Sequence, residues 1–150
     1  MLDLSNFVIR GRIWKFGDSV DTNIIAPLHV MRKGEIEEIA QHTMAAVRPE
    51  FPAQVRPGDI IVAGANFGCG SHREEANRVL EKVGIRAIVA ESVARIFLRN
   101  SINLAYPTLV APGVSSLRGG VLRPTGAPCG RFWKRSRFTP ARMSSTSRWP

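Results

Sequence analysis

The chain has 150 residues, 44% of them hydrophobic, and a formal net charge of +9, which suits one domain of ordinary size able to bury a core. No N-terminal run is long or apolar enough for a signal peptide or a membrane helix, so a cytoplasmic protein with no membrane partner is expected. Cys69 and Cys129 are the only cysteines, which excludes a disulfide framework and offers no metal-ligand spacing.

Along the chain, Phe7 to Trp14 reads as a first strand, with Val8, Ile13 and Trp14 apolar around Gly11. Asp18 to Pro27 reads as a loop holding a short buried Ile24-Ile25 segment. A helix is expected from Gly34 to Ala46, with Ile36, Ile39, Ala40, Thr43 and Met44 on one face and Glu35, Glu37 and Glu38 favouring its N-terminal end. Asp59 to Ala63 is a short β-branched run that reads as a buried strand. Ala76, Val79, Leu80 and Val83 then recur at helical spacing before a stop at Gly84. Arg86 to Ala90 reads as a strand, Ser92 to Ser101 as a helix with Ser92 as its cap, and Thr108 to Ala111 as a strand ending at Pro112-Gly113. Alternating strands and helices argue an α/β domain.

Between the Asp59–Ala63 strand and the following helix lies Gly64-Ala65-Asn66-Phe67-Gly68-Cys69-Gly70-Ser71-His72-Arg73-Glu74-Glu75-Ala76. Its glycines let the backbone turn sharply and present N–H groups, and unpaired amides at a helix start favour negative charge, so a carboxylate could sit there. Neither nucleotide-loop spacing is present, G-x-G-x-x-G or G-x-x-x-x-G-K-[ST]. Ser71-His72-Arg73-Glu74 also fits a capping box, in which Ser71 would simply cap the helix. On chemistry alone both readings stay open. Cys69 reads as a small packing residue, and His29 and His42 as loop and helix-surface residues, because no companion ligand stands at metal-site spacing.

The loop resembles the G-x-N-F-G-C-G-S-S-R-E-x-A signature of the aconitase superfamily's swivelling domain, in the version found in small subunits of 3-isopropylmalate dehydratases. Gly17 to Ile25 resembles the family's G-D-x-I-D-T-D-x-I-I, and Glu91 to Asn103 its K-S-F-A-R-I-F-Y-R-N-A-I-N. Arg48-Pro49-Glu50-Phe51 and Val55 to Val62 resemble D-P-E-F and V-x-P-G-D-I-I-V. The likeness runs from about Phe7 to Arg123 and implies a swivelling β/β/α domain.

What the resemblance implies chemically is dehydration of a hydroxy-diacid to an alkene and rehydration at the neighbouring carbon, as in the isomerisation of 2- and 3-isopropylmalate in leucine biosynthesis. Ser71 would be the general base as an alkoxide, steadied by the loop's Gly68, Cys69 and Gly70 at the helix start. Arg73 would grip a substrate carboxylate through its fork of N–H donors. Arg32, nine residues after Asn23, falls where the family often has the arginine of a Y-L-R loop that contacts the variable part of the substrate; here the triplet is Val30-Met31-Arg32. Asp21, Thr22 and Asn23 would support the site. His72 stands in place of a second serine and Asn23 in place of an aspartate, departures that could mark a related acid such as homoaconitate or a methylated malate. An aconitase-type 4Fe–4S cluster needs three cysteine ligands that this chain lacks, so the cluster is expected on a separate large subunit, the expected partner. No metal is expected on this chain.

Residues 124–150 carry +6 of the net charge and no acid. Such an arm could bind nucleic acid, giving a non-catalytic alternative. A frameshift explains it better, because the resemblance stops at Arg123. Restoring one base after that codon permits a back-translation with alternating apolar segments and an acidic balance. On that expectation the C-terminal part of the fold is disrupted after about residue 123, and nucleic acid is not a partner.

Overall fold

The computed structural model describes residues 9–32, 35–71 and 73–116. The expected tail after Arg123 and His72 lie outside the described residues. Four parallel strands, β1 (Ile13–Lys15), β2 (Ile60–Ala63), β3 (Ala87–Ala90) and β4 (Thr108–Val110), form one sheet in the order β1-β2-β3-β4. The register aligns Trp14 with Ile61, Ile61 with Ile88 and Ile88 with Thr108. Strand order equal to sequence order, with crossovers of one hand, puts the connecting helices on one face.

Helices α1 (Thr22–Ile25), α2 (Leu28–Met31), α3 (Ile36–Ala40) and α4 (Phe51–Gln54) all fall between β1 and β2. One helix, α5 (Glu75–Lys82), joins β2 to β3, and α6 (Arg95–Asn103) joins β3 to β4. Trp14, Ile61, Ala63, Ile88 and Ala90 point to that helical face and pack with Ile25, Ile39, Phe51, Val79, Leu80 and Phe97. The alternate residues Ile60, Val62, Ala87 and Val89 form a second core with Ile9, Ala111 and Val114, the last on a 3-10 turn over Val114–Ser116. β2 and β3 are therefore buried on both faces, as their continuous apolar runs require. Among the described residues no helix is long and apolar enough to cross a membrane.

Several expected boundaries are corrected. Among the described residues the first strand is Ile13–Lys15 and not the whole expected stretch to Trp14, of which Phe7 and Val8 lie outside the described residues and Ile9 is buried in the second core. The Asp18–Pro27 loop contains a helical turn, α1, whose N-cap is Asp21. The helix expected to Ala46 ends at Ala40, because the chain must bend to seat Met44, which has φ 61 and donates its N–H to the Ile24 carbonyl. Its expected face is nonetheless the buried one, with Ile39, Thr43 and Met44 all inside. The last helix starts at Arg95 and not at Ser92, whose hydroxyl is used elsewhere.

Candidate functional site

The carboxyl ends of β1, β2 and β3 run into three segments that pair with one another, where open parallel sheets usually place their ligands. On one side, the Ser19 N–H donates to the Ala65 carbonyl and the Gly68 N–H to the Val20 carbonyl, each at 2.8 Å. The Ala65 N–H donates to the Asp18 carboxylate at 2.7 Å. On the other, the Phe67 N–H donates to the Ser92 carbonyl, the Ala94 N–H to the Phe67 carbonyl, and the Asn66 N–H to Ser92 Oγ. Residues 65–69 are thus gripped along both edges.

Gly68 and Gly70 of that loop are demanded by both backbone angle and space. Gly68 has φ 74, and a Cβ there would lie inside the Phe97 ring, which is also stacked edge-on to Phe67 at 5.4 Å. Gly70 has φ 101, and a Cβ there would strike the Asp21 carboxylate. Asp21 in turn accepts the Asn23 N–H at 2.6 Å and so starts α1. Thr22 closes the joint: its N–H donates to the Cys69 carbonyl at 2.8 Å, and its Oγ1 accepts the Ser71 N–H at 2.9 Å.

The capping-box reading of Ser71 is overturned. α5 begins at Glu75 with Glu74 as N-cap, and the left-handed turn at Gly70 leaves Ser71 short of the helix, half-buried in the connecting loop. The first-turn amides of α5 therefore do not surround Ser71, and the backbone groups beside it belong to the loop.

Thr22, Asn23, Ser71 and Arg73 are brought together as the polar lining of a cleft with about 190 Å³ of empty space. Ala26, Leu28, Met31 and Ala76 form its apolar lining. Arg73 is exposed, and among the described residues no carboxylate pairs with it; neighbouring Glu74 is held by Arg78. Arg32 is not in the lining: it is exposed and caps α2 through its N–H to the Leu28 carbonyl. Leu28 and Met31 were missed by sequence reasoning, although their i, i+3 spacing directly after Pro27 is the signal that a helical turn offers.

Cys69 is half-buried, and burial first, then the Asp21 charge, pushes its thiol above the usual range. A thiol held protonated in this way is neither a ready nucleophile nor a ready ligand. His29 and His42 face each other with ring centroids 6.4 Å apart, both exposed. Among the described residues no group of three His, Cys, Asp or Glu side chains could hold a metal ion, so these residues do not fit an iron–sulfur cluster.

Residues 21–112 match the model of the aconitase C-terminal domain. The methanogen homoaconitase small subunit of Methanothermobacter thermautotrophicus is 56% identical over 104 residues, 69% of this chain and 61% of that relative. The 3-isopropylmalate dehydratase small subunit 1 of Methanopyrus kandleri is 54% identical over 107 residues, 71% of this chain and 63% of that one. The chain thus spans less than two thirds of the length of these curated relatives. A crystal structure of 3-isopropylmalate dehydratase from Methanocaldococcus jannaschii superposes with a TM-score of 0.70 at 44% identity, covering 77% of this chain and 70% of that one.

Proposed function

The chain belongs to the aconitase C-terminal domain family, and from that premise we propose that it is the small subunit of a heteromeric hydro-lyase that interconverts 2- and 3-isopropylmalate in leucine biosynthesis. The observation that carries this reading is the two-sided cleft, with Ser71 and Arg73 on its polar wall and Ala26, Leu28, Met31 and Ala76 on its apolar wall. The Arg73 guanidinium, which pairs with no carboxylate among the described residues, binds a substrate carboxylate through two parallel N–H donors. Ser71, as alkoxide, takes the C–H proton and becomes a hydroxyl; the C–H electron pair forms the alkene, and hydroxide departs from the adjacent carbon. Rehydration reverses these events with the hydroxyl placed on the neighbouring carbon.

The apolar wall suits an alkyl substituent. One methylene in such a pocket discriminates by about 1–3 kcal/mol. Among the described cleft-lining residues, Arg73 is the one cation that a further carboxylate, as in homoaconitate, would meet. Among its described lining the cleft offers one guanidinium for the two carboxylates of a hydroxy-diacid, which supports a site completed by a large-subunit partner. The 4Fe–4S cluster of this reading belongs to that partner, where it would supply Lewis acidity to the departing hydroxyl. The cytoplasm is the compartment proposed for the pair.

The test is reconstitution of the full chain with a cluster-bearing large subunit, followed by hydration rates for the alkene intermediates of isopropylmalate, homoaconitate and methylmalate. The isopropyl compound should have the highest kcat/KM. A preference for the homoaconitate intermediate would move the assignment to the activity named in the Methanothermobacter relative. No turnover of any of the three, with a large subunit active beside another small subunit, would overturn the reading.

A further inference from the structure

Thr22 is only 4% exposed, yet it lines the cleft beside Ser71. A hydroxyl carries one proton and two acceptor sites. One acceptor site is engaged, by the Ser71 N–H at 2.9 Å. Among the described residues the Thr22 proton has no acceptor: no hydrogen bond runs from Oγ1 to another group, including the carbonyls one turn back. A buried donor bordering a ligand cleft and lacking a partner is rare, because native structures satisfy such groups.

Ser71 is the cleft residue that this hydroxyl already contacts, through its N–H. In the structure the two hydroxyls are not hydrogen-bonded to each other; two of the three staggered χ1 positions of Ser71 set its Oγ gauche to the nitrogen that Thr22 holds, so a rotation about χ1 changes the distance between the two oxygens. Among the described residues Ser71 Oγ also has no hydrogen-bond partner.

We propose that Thr22 is a positioning residue for Ser71, accepting from its N–H to fix the backbone and donating its hydroxyl proton to Ser71 Oγ when that oxygen is anionic. This rests on the reading of Ser71 as base. The hydrogen bond disperses the alkoxide charge, and so favours the deprotonated serine over the neutral one. No proton changes owner in the contact: the Thr22 proton stays on Thr22, and the one that Ser71 gains in the reaction comes from the substrate carbon. The bond also explains why a buried helical turn of four residues carries a threonine against the loop and not an aliphatic residue of the same shape.

The experiment uses the full chain reconstituted with its large subunit and compares Thr22→Val, Thr22→Ala, Thr22→Ser and Ser71→Ala. Valine keeps the shape and removes both roles of the hydroxyl; alanine removes it without a branched side chain, should valine impair folding. Loss of one donor to a catalytic anion commonly costs roughly a hundredfold in kcat. The expectation is a fall of about that order for Val and Ala with KM little changed. The acid limb of kcat/KM against pH should move upward by about one pH unit, the equivalent of a tenfold weaker acid, and Thr22→Ser should restore both rate and limb. Wild-type limb position in Val and Ala would overturn the inference, whether or not kcat falls, provided Ser71→Ala is inactive. Full activity of Ser71→Ala would instead overturn the base assignment itself.

Discussion

Replacing Gly68 with alanine isolates what holds the loop beneath Ser71. Two penalties are built into the position. The first is backbone strain: φ is 74, a left-handed conformation that costs an L-residue about 1–2 kcal/mol. The second is overlap of the new methyl with the Cβ and ring of Phe97, an overpacking cost of about 1–3 kcal/mol. Their sum, about 2–5 kcal/mol, is a large part of the stability of a domain this size. Gly113→Ala separates the two, because Gly113 has φ 84 and open space around it; it should cost only the first. Gly17, with open space and no positive φ, serves as the neutral reference. Urea unfolding of the full chain reads each value from its midpoint at constant slope. A double-mutant cycle of Gly68→Ala with Phe97→Ala should show the pair to be coupled, since removing the ring removes most of the overlap. Equal destabilisation by Gly68→Ala and Gly113→Ala would refute the packing argument and leave the glycine explained by φ alone.

Two further consequences concern the scaffold. Burial pushes the Asp59 carboxyl up, but hydrogen bonds from Arg12, Trp14 and the Arg56 N–H outweigh it and leave the group below its ordinary value of 3.8. A depressed folded value means stability present above about pH 4 and lost as pH falls further; Asp59→Asn should flatten the urea midpoint against pH in that acid range, and an unchanged slope would refute the linkage. Ser101 Oγ donates to the Phe97 carbonyl at 2.9 Å and accepts from Asn77 at 2.8 Å and Thr108 at 3.0 Å, all buried. Ser101→Ala should therefore cost about 1–3 kcal/mol in the same unfolding assay, for the two donors it strands.

Strands β2, β3 and β4 and helix α5 were legible because each carries a strong local pattern, a β-branched run or a helical repeat of Ala76, Val79 and Leu80. Helices α1, α2 and α4 were not, since four residues carry too little periodicity and cannot nucleate alone. α1 exists because Asp21 caps it and Met44 bonds to its Ile24 carbonyl, the second from twenty residues away. Ser71 and Arg73 could be named from the loop motif, whereas Leu28 and Met31 reach the cleft only through the placement of α2, a stretch just past the expected Asp18–Pro27 loop in which only His29 was read, as a loop residue. Both serines read as caps, Ser71 and Ser92, failed for one reason: hydrogen bonds with distant parts of the chain override the local capping pattern.

That shared error yields a clean separation of roles. An N-capping serine changed to alanine costs about 1 kcal/mol or more, so a capping Ser71 would destabilise the fold when truncated. With α5 capped at Glu74 and Ser71 joined to Thr22 by its backbone N–H, removing Oγ costs no described hydrogen bond. Ser71→Ala should therefore lie within about 0.5 kcal/mol of the parent in urea unfolding, the range of substitutions away from structural features. Ser92→Ala should cost about 0.5–1.5 kcal/mol, because it deprives the exposed Asn66 N–H of its acceptor. The order of the two values is the discriminating result. Ser71→Ala costing as much as a lost cap would return that serine to a structural role, whereas a stable, inactive Ser71→Ala would separate its chemistry from its fold.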